Sequence, residues 1–232
     1  MKHFSSQLQD VGTLNFPNFS GLRVMMLPII IGNKSSLPNF LGDYKSPILK
    51  LSEMSGYDGM VGYVTIDEKN VIPGRSQRRP GKHVDGIYAN GAGSWGGGSW
   101  GGGGEDPPSP KLKKLPLSPY GTGFLLSSTV TSCKAWAKEF EGWPDNEGGC
   151  EHLANQCDDT SSVIMEARKV YWADPLCVHE ALPMQDGGKR QFIRLSLPST
   201  APWFEGYTEN PLGIMPTGPI LSSRPEEFMG YV

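Results

Sequence analysis

Several kinds of residue and segment are scarce in this chain of 232 residues. Positive charge is not in surplus, because 21 Lys+Arg stand against 24 Asp+Glu and the net charge is −3. A broad basic field of the kind that neutralises phosphates is therefore missing, and nothing supports a nucleic-acid partner. Long apolar runs are missing too: the longest, Val24–Ile31, is interrupted by Pro28 and is too short to span a bilayer. Residues 1–10 are polar and carry no apolar signal core, so the expectation is a cytoplasmic protein with no membrane partner. Only four cysteines occur, Cys133, Cys150, Cys157 and Cys177, with no C-x-x-C pair. Reduced thiols are expected, although a Cys150–Cys157 bridge or a metal clip with His152 stays open.

Chain-breaking residues, by contrast, are plentiful. The 30 glycines and 20 prolines exclude a coiled coil or helical bundle, while 38% hydrophobic residues suffice for a core. These proportions predict one domain over residues 1–232, mainly β, with a few short helices. Strands are expected at Val24–Gly32, Met60–Ile66, His83–Tyr88, Phe124–Thr131, Val163–Val170, Leu176–Leu182 and Gln191–Pro198. A helix is expected over Cys133–Glu141, capped by Ser132 and stopped by Gly142, within a cysteine-bearing insert spanning 133–162. The proline-rich segment 199–232 reads as extended chain wrapped over the body. With no long helical crossover between the strands, the sheets should be antiparallel, and a double-sheet jelly roll fits best.

One excursion stands apart. From Gly91 to Gly104, nine of fourteen residues are glycine, and Gly-Ser-Trp-Gly-Gly occurs twice in tandem. Glycine loses the most backbone entropy on ordering, so segment 91–119 is predicted to be a flexible loop. A purely solvated loop has little reason to carry Trp95 and Trp100, which makes a lid over a ligand site the sharper reading.

Two of the four histidines lie in strand contexts. In His83-Val84-Asp85, side chains alternate between faces, so His83 and Asp85 point the same way and can share a cation. His179, in Cys177-Val178-His179-Glu180, is the remaining strand histidine and the natural third ligand. Two imidazoles and one carboxylate form a facial set suited to Fe(II) with open positions. After the turn at Asp186–Gly188, Arg190, Arg194 and Ser196 fall at even steps on one strand face. Buried arginines require an anion, and a dicarboxylate suits a guanidinium fork. Pairing with internal carboxylates, or an edge strand facing water, stays open as the structural alternative.

The pattern His83-x-Asp85, then His179, then Arg190 eleven residues on and Arg194 at fifteen, resembles the Fe(II)- and 2-oxoglutarate-dependent oxygenases. The double-arginine spacing is similar to the branch acting on taurine and clavaminate precursors. Another branch carries an R-x-S pair, here Arg194-Leu195-Ser196. The resemblance covers roughly residues 60–200 and implies a double-stranded β-helix, a cupin-like jelly roll. It implies iron held by His83, Asp85 and His179, and 2-oxoglutarate bound by Arg190, with Arg194 and Ser196 close by. Its chemistry would use molecular oxygen to hydroxylate a small-molecule or side-chain substrate while 2-oxoglutarate becomes succinate. Glu180 and Tyr171 are candidates to support the ligands. Two alternatives remain: a cupin-like metal enzyme that does not use 2-oxoglutarate, and a non-catalytic jelly-roll module that binds through Trp95 and Trp100.

Overall fold

The computed structural model describes residues 3–76, 80–85, 115, 118, 121–131, 133–145 and 148–222. Trp95, Trp100 and nearly all of the 91–119 segment lie outside the described residues, as do residues 86–88 of the expected strand, Ser132 and the C-terminal residues from 223 onward. The described chain is mainly β, and its larger sheets are antiparallel.

Strands β1 (His3–Ser5) and β2 (Leu8–Thr13) lead into β3 (Arg23–Ile30), and one α-helix, α1 (Lys45–Ser55), precedes the long β4 (Val61–Val71). Then follow β5 (Phe124–Ser128), β6 (Cys133–Trp136), β7 (Glu139–Glu141) and β8 (Val163–Ile164). The later strands are β9 (Lys169–Ala173), β10 (Val178–Ala181), β11 (Gly188–Ser196), β12 (Trp203–Phe204) and β13 (Ile220–Leu221). Six of them make one sheet in the order β2-β9-β5-β11-β4-β3, and three make a second in the order β10-β6-β8. Isolated bridges from His83 to His179 and to Gly149 add the 80–85 segment to the second sheet, beside β10. From β4 onward the chain therefore passes repeatedly between the two sheets. Short pairs β1-β7 and β12-β13 complete the pairing, the latter parallel.

Strand β11 shows how alternation builds the molecule. Ile193 and Leu195 enter a core with Val64, Ile66, Leu125, Trp172 and, from α1, Ile48 and Leu51. The intervening Arg190, Phe192 and Arg194 face a cavity on the other side of the sheet. Across that cavity a second cluster joins both sheets, with Phe124, Tyr171 and Ala173 from the larger and Ala135 from the smaller. Gly123 holds a positive φ of 74° immediately before β5, and a Cβ there would collide with the carbonyl oxygen of Ala173. This close approach fixes where Phe124 enters the cavity.

Several sequence expectations need correction. Residues 133–141 form β6 and β7 rather than a helix. The reason is tertiary: Cys133 and Ala135 turn toward the cavity cluster, while Trp136 packs among Phe4, Phe140 and Val178 and its neighbour Lys134 lies over its ring. That period-two arrangement, paired to β10, overrides local helix propensity. The single strand expected at 163–170 divides into β8 and β9, which belong to different sheets, across a turn where Arg168 takes φ 65°. Strand β4 continues beyond the expected end at Ile66 through Asp67-Glu68-Lys69, because Asp67 and Glu68 both find buried partners. The four cysteines carry thiols, with no disulfide, and His152 hydrogen-bonds the carbonyl of Trp143. Among the described residues no helix is long and apolar enough to cross a membrane.

Candidate metal centre

His83, Asp85 and His179 converge. One ligand atom from each lies within 4.8 Å of the others, the one such grouping of three or more His, Cys, Asp or Glu found among the described residues. Backbone pairing produces this meeting: His83 and His179 exchange N–H···O=C bonds at 3.0 and 2.9 Å, which places their rings 4.4 Å apart between centroids. Each imidazole donates Nδ1–H to a carbonyl two residues earlier, His83 to Gly81 at 2.8 Å and His179 to Cys177 at 2.9 Å. A carbonyl only accepts, so both rings carry the proton on Nδ1 and present Nε2 as a lone-pair donor, the tautomer a metal ligand requires. Asp85 Oδ1 lies 4.0 Å from His179 Nε2. Ligands bound about 2.1 Å from a metal at adjacent octahedral corners sit about 3 Å apart, so a cation would draw these atoms inward by about 1 Å. Nitrogen and carboxylate donors in this ratio could hold a divalent metal ion.

The triad lies at the wall of a cavity lined by residues of both sheets and open to solvent. Leu126, Met165, Tyr171 and Phe192 give it apolar walls, and Arg190 and Arg194 supply its buried cations. Arg194 Nη1 donates to Asp85 Oδ2 at 2.8 Å, and its guanidinium lies 5.3 Å from the Phe124 ring centroid. Arg190 stacks over Phe192 at 4.9 Å and approaches Asp67 Oδ2 at 3.8 Å. Burial lifts the Cys177 thiol far above its ordinary pKa, which keeps it protonated at the cavity wall.

The sequence-derived residues are thus brought together unequally. His83, Asp85, His179, Arg190 and Arg194 all line the cavity. Ser196 shares their strand face but does not reach the cavity; its hydroxyl contacts the Met26 sulfur at 3.8 Å. Tyr171 lines the wall, its hydroxyl accepting the Glu166 N–H, and Glu180 turns to the opposite face, where it pairs with Lys82 and Lys134. Sequence reasoning missed Asp67, which meets Arg190 only because β4 and β11 pair side by side. Comparison of the chain with family models, curated proteins and solved structures gives no match.

Proposed function

We propose that the chain is an Fe(II)- and 2-oxoglutarate-dependent oxygenase that hydroxylates a small-molecule or side-chain substrate on a double-stranded β-helix. The observation that carries this reading is the meeting of His83, Asp85 and His179 beside a cavity walled by two buried arginines. The winding of the chain between the two sheets supports it, with His83 and His179 on the smaller sheet and both arginines on the larger. Fe(II) and 2-oxoglutarate, when bound, supply oxygen activation in which the cosubstrate is oxidatively decarboxylated to succinate and carbon dioxide and the substrate gains a hydroxyl.

The chain's own residues have separable tasks. His83 and His179 offer Nε2, and Asp85 offers one oxygen of a charge that reduces the cation's own. Arg190 lies four residues from Arg194, roughly 13 Å along an extended strand, so its guanidinium can hold the far end of an elongated dicarboxylate whose near end meets the triad. Phe124, Leu126, Tyr171 and Phe192 line the cavity with apolar surface, which strengthens charge interactions beside them.

One arrangement favours a second reading, a cupin-like metal enzyme that does not use 2-oxoglutarate. Both arginines face internal carboxylates, Arg190 toward Asp67 and Arg194 toward Asp85, so their burial does not by itself demand an external anion. Oxygen-dependent succinate release with Fe(II) separates the two. Wild type should turn over 2-oxoglutarate, His179→Ala should lose activity by at least about 100-fold, and Arg190→Ala should raise the KM for 2-oxoglutarate about tenfold or more. Iron binding without 2-oxoglutarate binding or turnover would decide for the cupin-like enzyme.

A further inference from the structure

The two cavity arginines differ in what holds them. Arg194 holds Asp85 at short range: Nη1 donates to Oδ2 at 2.8 Å, and the Arg194 side chain is only 1% exposed. Its second arm, Nη2, points at the Met26 sulfur 3.9 Å away. Met26 is itself fixed at a break in the β3–β4 register with φ 49°, its N–H on Thr65 Oγ1 and its carbonyl taking the Trp203 indole N–H. Ring, sulfur and carboxylate therefore frame Arg194 on three sides. Arg190 has a different neighbourhood, because Asp67 is shared with Arg23 at 3.2 Å and Lys69 at 3.4 Å, so three cations lean on one carboxylate.

We propose that Arg194 is a positioning residue for the metal-ligand carboxylate and not a second anchor for the cosubstrate, whose far carboxylate stays with Arg190 as in the function proposed above. This rests on the metal-centre reading of His83, Asp85 and His179. By holding Oδ2, Arg194 presents Oδ1 to the cation, restrains Asp85 to one-oxygen binding and leaves further coordination positions open. The charges agree with this division. Asp85 offsets Arg194, so a divalent ion bound between two neutral imidazoles would add two positive charges to a cavity that Arg190 also lines. A dianion offsets that added charge, and its far carboxylate would meet Arg190, whose contact with Asp67 is long at 3.8 Å.

Titration of the full-length chain with Co(II), followed by calorimetry and by the visible Co(II) spectrum, tests the first half. Titration of the metal-saturated chain with 2-oxoglutarate, without oxygen, tests the second. Arg194→Met should weaken Co(II) binding about 10–100-fold and change the spectrum, while 2-oxoglutarate affinity at saturating metal stays within about threefold. Arg194→Lys, which keeps the charge and serves if the methionine variant does not fold, should recover part of the metal affinity. Arg190→Met should leave Co(II) binding intact and weaken 2-oxoglutarate about tenfold or more. Unchanged Co(II) affinity and spectrum in both Arg194 variants would overturn the proposal, as would a loss of 2-oxoglutarate affinity in Arg194→Met equal to that in Arg190→Met. A wild type that binds no Co(II) overturns the metal centre and this proposal together. One that binds Co(II) but not 2-oxoglutarate overturns the cosubstrate reading and the role given to Arg190, while the Arg194 measurement still decides the role given to Asp85.

Discussion

Asp174 is fully buried, accepting hydrogen bonds from Gln7 N–H at 3.2 Å and the Ser118 hydroxyl at 3.1 Å. Burial pushes its pKa up to about 7 despite those bonds, against 3.8 for an ordinary aspartate. Between these values the folded chain holds a proton that the unfolded chain has released, so stability falls as pH rises from about 4 to 7 and levels off above. Asp174→Asn should flatten this slope in urea denaturation series, and an unchanged slope would remove Asp174 as its cause. Glu68 behaves in the opposite way. Burial raises its pKa, but hydrogen bonds from Tyr44, Leu22, Ser20 and Gln191 outweigh this and hold it below the usual carboxylate range. Its contribution is present at neutral pH and lost as pH falls through the depressed value. Tyr44→Phe, which removes the 2.8 Å bond to Glu68, should cost about 1–3 kcal/mol at neutral pH, measured by chemical denaturation. At this scale the nearness of His83 and Asp85 was legible from their i, i+2 spacing, although among the described residues the strand expected at 83–88 is reduced to isolated bridges at His83. The partner of Arg190 was not, since the pairing of Asp67 with it depends on two strands remote in sequence.

At the scale of elements, the two histidine-bearing segments are fastened from outside as well as by their backbone bonds. Glu180 receives Lys82 at 3.3 Å and Lys134 at 2.9 Å, and both lysines lie over the Trp136 ring. Lys82 precedes His83 and Glu180 follows His179, so this pair fastens one ligand segment to the other. Glu180→Ala should lower Co(II) affinity by about tenfold while leaving the strands formed, read by metal titration beside circular dichroism. Gly123→Ala should cost more than about 2 kcal/mol, because the positive φ and the Ala173 carbonyl both oppose a side chain there. The expected strands at 24–32, 60–66, 124–131, 176–182 and 191–198 all overlap observed ones, because their apolar and β-branched residues are buried by neighbours in the same sheets. Helix α1 escaped the sequence reading. Its Pro47 occupies the first turn, where the missing N–H has no intrahelical partner to lose.

For the whole molecule, the described residues 201–222 are a structural component rather than a tail. Trp203, Phe204 and Tyr207 form a cluster with Met26 and Tyr63, and Asn210 donates to the carbonyls of Pro28 and Ser36. Truncation after residue 198 should lower stability by several kcal/mol, in line with about 3–5 for each large aromatic lost, and a calorimetric midpoint measures it. Sequence anticipated this wrapping from the spacing of prolines. It could not anticipate that Trp203 would bond the carbonyl of Met26, the residue against the second arm of Arg194.

Strand β11 separates the molecule's obligations by the parity of its residue numbers. Odd positions 193 and 195 answer to the core, and even positions 190, 192 and 194 answer to the cavity. Variation at Phe192 can therefore reshape what the cavity accepts without disturbing Ile193 or Leu195, so ligand preference can diverge along a lineage while the scaffold stays constant. A single-residue insertion within the strand would instead exchange the two sets of obligations, placing guanidinium groups in the core and aliphatic chains in the cavity. A change at position 192 alters the cavity wall and the ring on which Arg190 stacks, while the strand register keeps Ile193 and Leu195 in the core.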